Sequence, residues 1–190
     1  MKTISIHTDS HTSRILVGER LENLSRYLPE GKSIIITDEN IIRHYAAAFP
    51  PLPVISLGTG EGHKTLETLQ LIFDRLVSCE ADRSTFILGI GGGIVCDVAG
   101  FAASVFMRGL KFGFVSTTLL SQVDASVGGK NGVNFRGYKN MIGVFRQPEF
   151  VICDPGLLRT LDDREFRAGF SEIIKAAAIP NLDLRLQNRR

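Results

Sequence analysis

The sequence predicts an α/β fold, a doubly wound and mainly parallel sheet, on three observations. Short, continuous apolar runs such as Ser33 to Thr37 (SIIIT), Val54 to Leu57 and Phe86 to Ile90 read as strands buried on both faces. Stretches with apolar residues at helical spacing lie between them. Polar and glycine-rich segments follow the strands, where sheets of this kind bind ligands.

In chain order, residues 3–7 and 13–17 alternate and predict an N-terminal β-hairpin around Asp9-Ser10-His11. Residues 19–28 read as a helix with Leu21, Leu24 and Leu28 on one face. The SIIIT strand ends in Asp38, and a helix starts near Asn40. Val54 to Leu57 leads into the loop Gly58-Thr59-Gly60-Glu61-Gly62-His63-Lys64, then a helix from about Thr65 to Cys79 carrying Leu66, Leu69, Ile72, Phe73 and Leu76. Phe86 to Ile90 runs into Gly91-Gly92-Gly93, and the next helix holds Val95, Val98, Ala99, Ala102 and Val105. Phe112 to Val115 is a strand ending in Ser116-Thr117-Thr118. The character changes after Phe150 to Asp154, and residues 162–179 read as a helix of another layer. The expected organisation is a Rossmann-like domain at 1–155 and the start of an α-helical second domain at 156–190. The helix face with Phe166, Phe170, Ile173 and Ile174 has little left to pack on, so self-association, or disorder beyond about residue 160, is expected.

Composition narrows the function. The 190 residues, 44% apolar, suffice for one good core. A net charge of +2 gives no bulk attraction to nucleic acid or to membrane. The longest apolar stretches are strand-sized, and the N-terminus lacks the apolar run of a signal peptide. Cys79, Cys96 and Cys153 are odd in number and scattered, which reads as reduced thiols in a cytoplasmic protein.

Familiar nucleotide motifs narrowly miss. Gly58 to Thr65 resembles a P-loop, but His63 stands where the second glycine is required. Gly89-x-Gly91 has Ile94 where a dinucleotide fingerprint wants its third glycine. Gly91-Gly92-Gly93 serves either a tight turn with positive φ or close backbone approach to a pyrophosphate, and three glycines in a row favour the second. Asp97, placed in the first helical turn, either complements the helix dipole or is a partly buried carboxylate with a partner; Asp124, in an uncharged stretch, stands equally open. Asp38 either caps the following helix or bonds an adenosine ribose. Arg108, Lys130 and Lys139 flank glycine-rich turns beside Asn140, and they look more like an anion clamp than solvated charges. Glu172 and Lys175, at i and i+3, form an ion pair, or Glu172 is a metal ligand without a histidine motif nearby. All four histidines, His7, His11, His44 and His63, come early.

The run GGGIVCDVAGF, then MRGLKFGFVSTTLLSQVDASVGGKNGVN, then YKNMIGVFRQP, resembles the 3-dehydroquinate synthase family closely and in order. Asp38, Gly60-Glu61-x-x-Lys64 and Ser171-Glu172-Ile173-Ile174-Lys175 fit the same family. The resemblance implies conversion of the sugar-acid phosphate DAHP to 3-dehydroquinate in the shikimate pathway of aromatic amino acid biosynthesis. It implies catalytic use of NAD with a divalent metal, zinc or cobalt, in a homodimer. Carried over by residue, it implies that Asp38, Glu61, Lys64, Gly92, Gly93, Asp97, Thr117 and Thr118 bind NAD, with Leu157 and Thr160 near the cofactor. Arg108, Asp124, Lys130, Lys139, Asn140 and Lys175 would surround the substrate, and Glu172 would be a metal ligand. The sequence departs from the family at Cys96 (usually glycine), Asn131 (usually threonine), 135–138 and 176–178. The histidine metal ligands are expected from a carboxy-terminal helical domain that this chain does not include, so the chain alone is expected to be inactive. A sister sugar-phosphate cyclase, a metal-dependent polyol dehydrogenase and a non-catalytic nucleotide-binding fragment remain alternatives. The cation clamp favours a cyclase over a polyol enzyme.

Overall fold

The computed structural model describes residues 1–8 and 12–187, without the side chains of Ala125 and of 180–187; the turn expected at Asp9-Ser10-His11 lies outside the described residues. The N-terminal hairpin forms from β1 (Lys2–His7) and β2 (Thr12–Val17), with Lys2 opposite Val17. Four strands follow with helices between them: β3 (Ser33–Asp38), β4 (Val54–Leu57), β5 (Phe86–Gly91) and β6 (Phe112–Ser116). The strands β7 (Lys130–Phe135) and β8 (Tyr138–Phe145) make a separate antiparallel ribbon, and β9 (Phe150–Cys153) returns to the main sheet. The seven-stranded order is β1-β2-β9-β6-β5-β3-β4, and every pairing except β1 with β2 is parallel.

Side chains of successive strand residues point to opposite faces, and the run of isoleucines in β3 shows the consequence. Ile34 and Ile36 join one core with Ile72, Leu76, Val98 and Ala102. Ile35 joins the other with Leu21, Leu24, Leu88 and Val115. Both faces are therefore covered, which is why these strands read as continuous apolar runs. The helices are α1 (Glu39–Tyr45), α2 (Leu66–Ser78), α3 (Gly93–Val105) and α4 (Asp163–Gln187). None among the described residues is long and apolar enough to cross a membrane.

Two expectations need correction. Residues 19–28 do not form an α-helix; Leu21–Arg26 is a 3-10 helix. Side chains three apart eclipse in that geometry, so Leu21 and Leu24 are buried together, and the leucine spacing alone did not separate the two helix types. Asp97 is the fifth residue of α3, which starts at Gly93 and has no acid in its first turn. Its role is therefore not one of complementing the helix dipole.

The chain goes from β3 to β4 towards one edge of the sheet and from β5 to β6 towards the other. The strand order thus reverses between neighbours β3 and β5, and ligands bind beyond the carboxyl ends of strands at such a switch point. Asp38 and the Gly91–Gly93 turn border it.

Candidate dinucleotide site

The glycine turn is built for close approach. None of Gly91, Gly92 and Gly93 has positive φ, and Gly92 sits at φ −76° and ψ −172°, so the turn itself does not require glycine. Space does: a Cβ on Gly92 would stand 2.8 Å from Thr118 Cγ2. Helix α1 is capped by Asp38, which accepts from Ile41 N at 3.0 Å, and α2 by Thr65, which accepts from Thr68 N at 3.3 Å. By contrast, α3 has no side-chain cap at Gly92. Its first N–H groups, at the positive end of the helix dipole, are left for a ligand anion. Beside them Thr117 is 3% exposed, and its Oγ1 is buried without a hydrogen-bond partner among the described residues. Buried polar atoms are rarely left unpaired, so this hydroxyl keeps an unused bond beside the helix end.

A second group of residues closes one side. Lys64 Nζ donates to Asp97 Oδ2 and to Asn140 Oδ1. Burial pushes the Asp97 carboxyl above its usual range; the Lys64 ammonium pulls it back, and Glu61 and Asp124 push it up again. Glu61 accepts from Asn134 Nδ2 at 2.9 Å and lies 4.0 Å from Lys139 Nζ. The His63 ring covers Gly58, leaving no room for a Cβ there. In this way the near-P-loop is closed by its own histidine.

The other expected residues are distributed around these. Asp38 spends one carboxylate oxygen on the α1 cap. Leu157 has its side chain in the core, and its carbonyl accepts from Tyr45 Oη at 3.1 Å; Thr160 Oγ1 lies 2.7 Å from the same hydroxyl. Lys130 opens β7 and is exposed. Asp124 sits in the π-helical turn Ser121–Ala125, against which α4 packs, with Gly169 set against Leu119 and Leu120 just before it. Glu172 and Lys175 form the i, i+3 ion pair, and that carboxylate, then Asp124, holds the Lys175 ammonium above its usual range. Arg108 stands apart, beyond the C-terminal end of α3, with φ +70° between Met107 and Gly109. The 13 residues of α3 place it roughly 20 Å along the helix from Gly93. Among the described residues no group of three His, Cys, Asp or Glu could hold a metal ion.

The departures have structural roles. Asn131 is buried, and its Nδ2 donates to Gly129 O at 2.9 Å and Arg146 O at 2.8 Å, closing the base of the ribbon. Cys96 is buried in the core, and burial pushes its thiol far up, so it is inert packing. Sequence reasoning passed over Asn134, whose contacts span three segments. Its signal, a break in the pairing of two strands, was not visible because the ribbon itself was not read.

A parallel sheet whose switch point faces an uncapped, glycine-rich helix end defines a dinucleotide-binding type of α/β protein. The model of the family described as 3-dehydroquinate synthase N-terminal matches residues 54–168, and the chain belongs to this family. It is 40% identical over 193 residues to the 3-dehydroquinate synthase of Enterococcus faecalis, covering 96% of this chain and 54% of the relative. It is 43% identical over 190 residues to that of Pseudomonas putida, covering 94% and 52%. The chain thus spans about half the length of the curated relatives it matches. Among solved structures, 2-deoxy-scyllo-inosose synthase complexed with carbaglucose-6-phosphate, NAD+ and Co2+ matches with TM-score 0.81 and 32% identity, over 92% of this chain and 50% of that one. Maleylacetate reductase from Agrobacterium tumefaciens, at 14% identity and TM-score 0.63 over 89% and 47%, shows the fold alone.

Proposed function

We propose that the chain is the NAD-binding part of a 3-dehydroquinate synthase, which converts DAHP to 3-dehydroquinate and inorganic phosphate. The observation that carries this reading is the uncapped N-terminus of α3 beside the orphaned Thr117 hydroxyl, in a chain of this family. Gly92 and Gly93 admit the pyrophosphate, and the second carboxylate oxygen of Asp38 accepts from the adenosine ribose. Thr117 and Thr118 line the turn, and Glu61, Lys64 and Asp97 wall the crevice. Leu157 and Thr160 border it through the Tyr45 hydroxyl. When bound, NAD supplies a hydride acceptor that returns the hydride within one turnover.

Since Asp97 neutralises Lys64, that lysine shapes the site rather than holding an anion. The exposed Lys139, beside Asn140 and in long contact with Glu61, and the exposed Lys130, at the other end of the ribbon, would hold phosphate and carboxylate with Asp124 and Lys175. Charge held in place supplies positioning and stabilises developing negative charge as phosphate leaves. For the zinc or cobalt that the family implies, the described residues do not fit as they stand. Glu172 is bound to Lys175, and a catalytic zinc takes about three protein ligands. The chain by itself therefore binds NAD without turning over DAHP.

The test is a calorimetric titration with NAD and NADP, followed by phosphate release from DAHP with added zinc or cobalt. Saturable binding with preference for NAD, and no phosphate release, is expected. No binding, or preference for NADP, removes the cofactor reading. Release at the rate of a complete relative removes the inactivity. A second reading, a sister sugar-phosphate cyclase, draws on the likeness to 2-deoxy-scyllo-inosose synthase. Tighter binding of a hexose phosphate than of DAHP to the NAD-loaded chain would favour it.

A further inference from the structure

The ribbon contains a break that regular pairing does not explain. Lys130 pairs with Phe145 and Val133 with Ile142, yet Phe135 pairs with Tyr138. One residue of β7, Asn134, therefore faces three of β8, Lys139, Asn140 and Met141. A bulge of this kind leaves ladder groups unpaired and re-aims side chains. Asn140 has φ +52°, a left-handed conformation that asparagine adopts more readily than most other non-glycine residues.

Asn134 holds this bulge and, with the same residue, the loop across from it. Its backbone N–H donates to Lys64 O at 2.8 Å. Its Oδ1 accepts from Asn140 N at 2.9 Å, and its Nδ2 donates to Glu61 Oε1 at 2.9 Å. Asn140 Oδ1 accepts in turn from Lys64 Nζ. The bonds form a closed circuit, Lys64 to Asn134 to Asn140 and back to Lys64, drawn from the 58–64 loop, β7 and β8. A carboxamide suits the centre, because it accepts on one side and donates on the other.

We infer that Asn134 is a positioning residue that locks the 58–64 loop to the β7–β8 bulge, so that the dinucleotide wall and the anion-holding residues Lys139 and Asn140 take their places together. This rests on the functional reading above for what the two segments bind. The coupling of the segments is a property of the circuit itself. Loss of the carboxamide removes one bond in each segment, to Glu61 and to Asn140, and leaves the Asn134 N–H bond to Lys64 O and the Lys64 bond to Asn140 to carry the join.

Asn134→Ala and Asn134→Asp in the 190-residue chain separate the possibilities. Asn134→Ala removes both side-chain bonds. Asn134→Asp keeps an acceptor for Asn140 N–H but sets a second carboxylate against Glu61. Amide hydrogen exchange should quicken at His63, Lys64 and Asn140 in Asn134→Ala. In Asn134→Asp it should quicken at His63 and Lys64 while Asn140 stays protected. NAD affinity should fall about ten-fold in both, with the global unfolding midpoint little changed. Faster exchange confined to the ribbon, with the loop and NAD affinity untouched, overturns the inference. Should Asn134→Ala fail to fold, Asn134→Asp decides by the same readouts. Should the wild-type chain bind no NAD, the cofactor reading falls, while exchange at the two segments still decides the coupling.

Discussion

The Lys64 ammonium lies between the Asp97 carboxylate and the Asn140 carboxamide, with 6% of its side chain exposed against 18% for Asp97. Two segments that the sequence places 33 residues apart are joined by this buried pair. Replacing Lys64 by methionine leaves Asp97 buried without its cation, which costs about 3 kcal/mol. The sign of the pH dependence follows from burial. The folded Asp97 carboxyl already stands above its unfolded value of 3.8, so its favourable contribution is full below that value and is lost as pH rises through the folded one. Lys64→Met raises the folded value further. Urea unfolding should therefore show a larger deficit at pH 8 than at pH 4; an equal deficit at both would contradict the pairing.

Glu19 gives the opposite sign. The Tyr27 hydroxyl first, then Asn23 Nδ2 and the Arg20 N–H, hold its carboxyl down to about 2 from 4.5. Its contribution is present above pH 4.5 and fades as pH falls towards 2. In Glu19→Gln that acid-side slope should flatten, measured as unfolding free energy against pH. An unchanged slope between those values would show that the cluster does not hold the N-terminal segment.

Much of the fold was legible because its strands are buried on both faces. SIIIT, the run at Phe86 and the run at Phe112 have no polar alternation to confuse the reading. The ribbon was illegible for the converse reason. Tyr138, Met141 and Phe145 of β8 point outward, while glycines Gly132 and Gly143 sit where the strands approach most closely. Its alternation is thus inverted and diluted. The 3-10 helix at Leu21 was misread because spacing by three fits both helix types over so short a run. At the site, the glycine turn, Asp38 and Thr117 lie at strand ends as their sequence positions imply, whereas Asp97 sits later in its helix than the sequence reading places it. The partnership of Lys64 with Asp97 was not legible, since it depends on where α3 begins and how the ribbon crosses it.

The cap that Asp38 makes and the ribose contact proposed for it can be divided by mutation. Asparagine keeps an oxygen for Ile41 N–H, so Asp38→Asn should leave the melting temperature nearly unchanged. It removes the negative charge that repels a 2′-phosphate, so the preference for NAD over NADP should shrink by roughly ten-fold. Calorimetry with both dinucleotides reads this directly. A preference that survives unchanged would place the ribose elsewhere.

Asn131 should prove structural. Asn131→Ala strips the Nδ2 donor from Gly129 O and Arg146 O at a buried position, at a cost of about 1–3 kcal/mol. Chemical denaturation checks the loss. Stability equal to wild type would mean that the ribbon base does not depend on those bonds.

The central claim is that the N-terminus of α3 receives the pyrophosphate of NAD. Backbone amide NMR during an NAD titration tests it most directly. Saturable shifts should concentrate at Gly92, Gly93, Ile94 and Val95, with smaller ones at Asp38, Thr117 and Thr118. Binding that leaves the α3 amides unmoved, or no saturation at millimolar NAD, would contradict it.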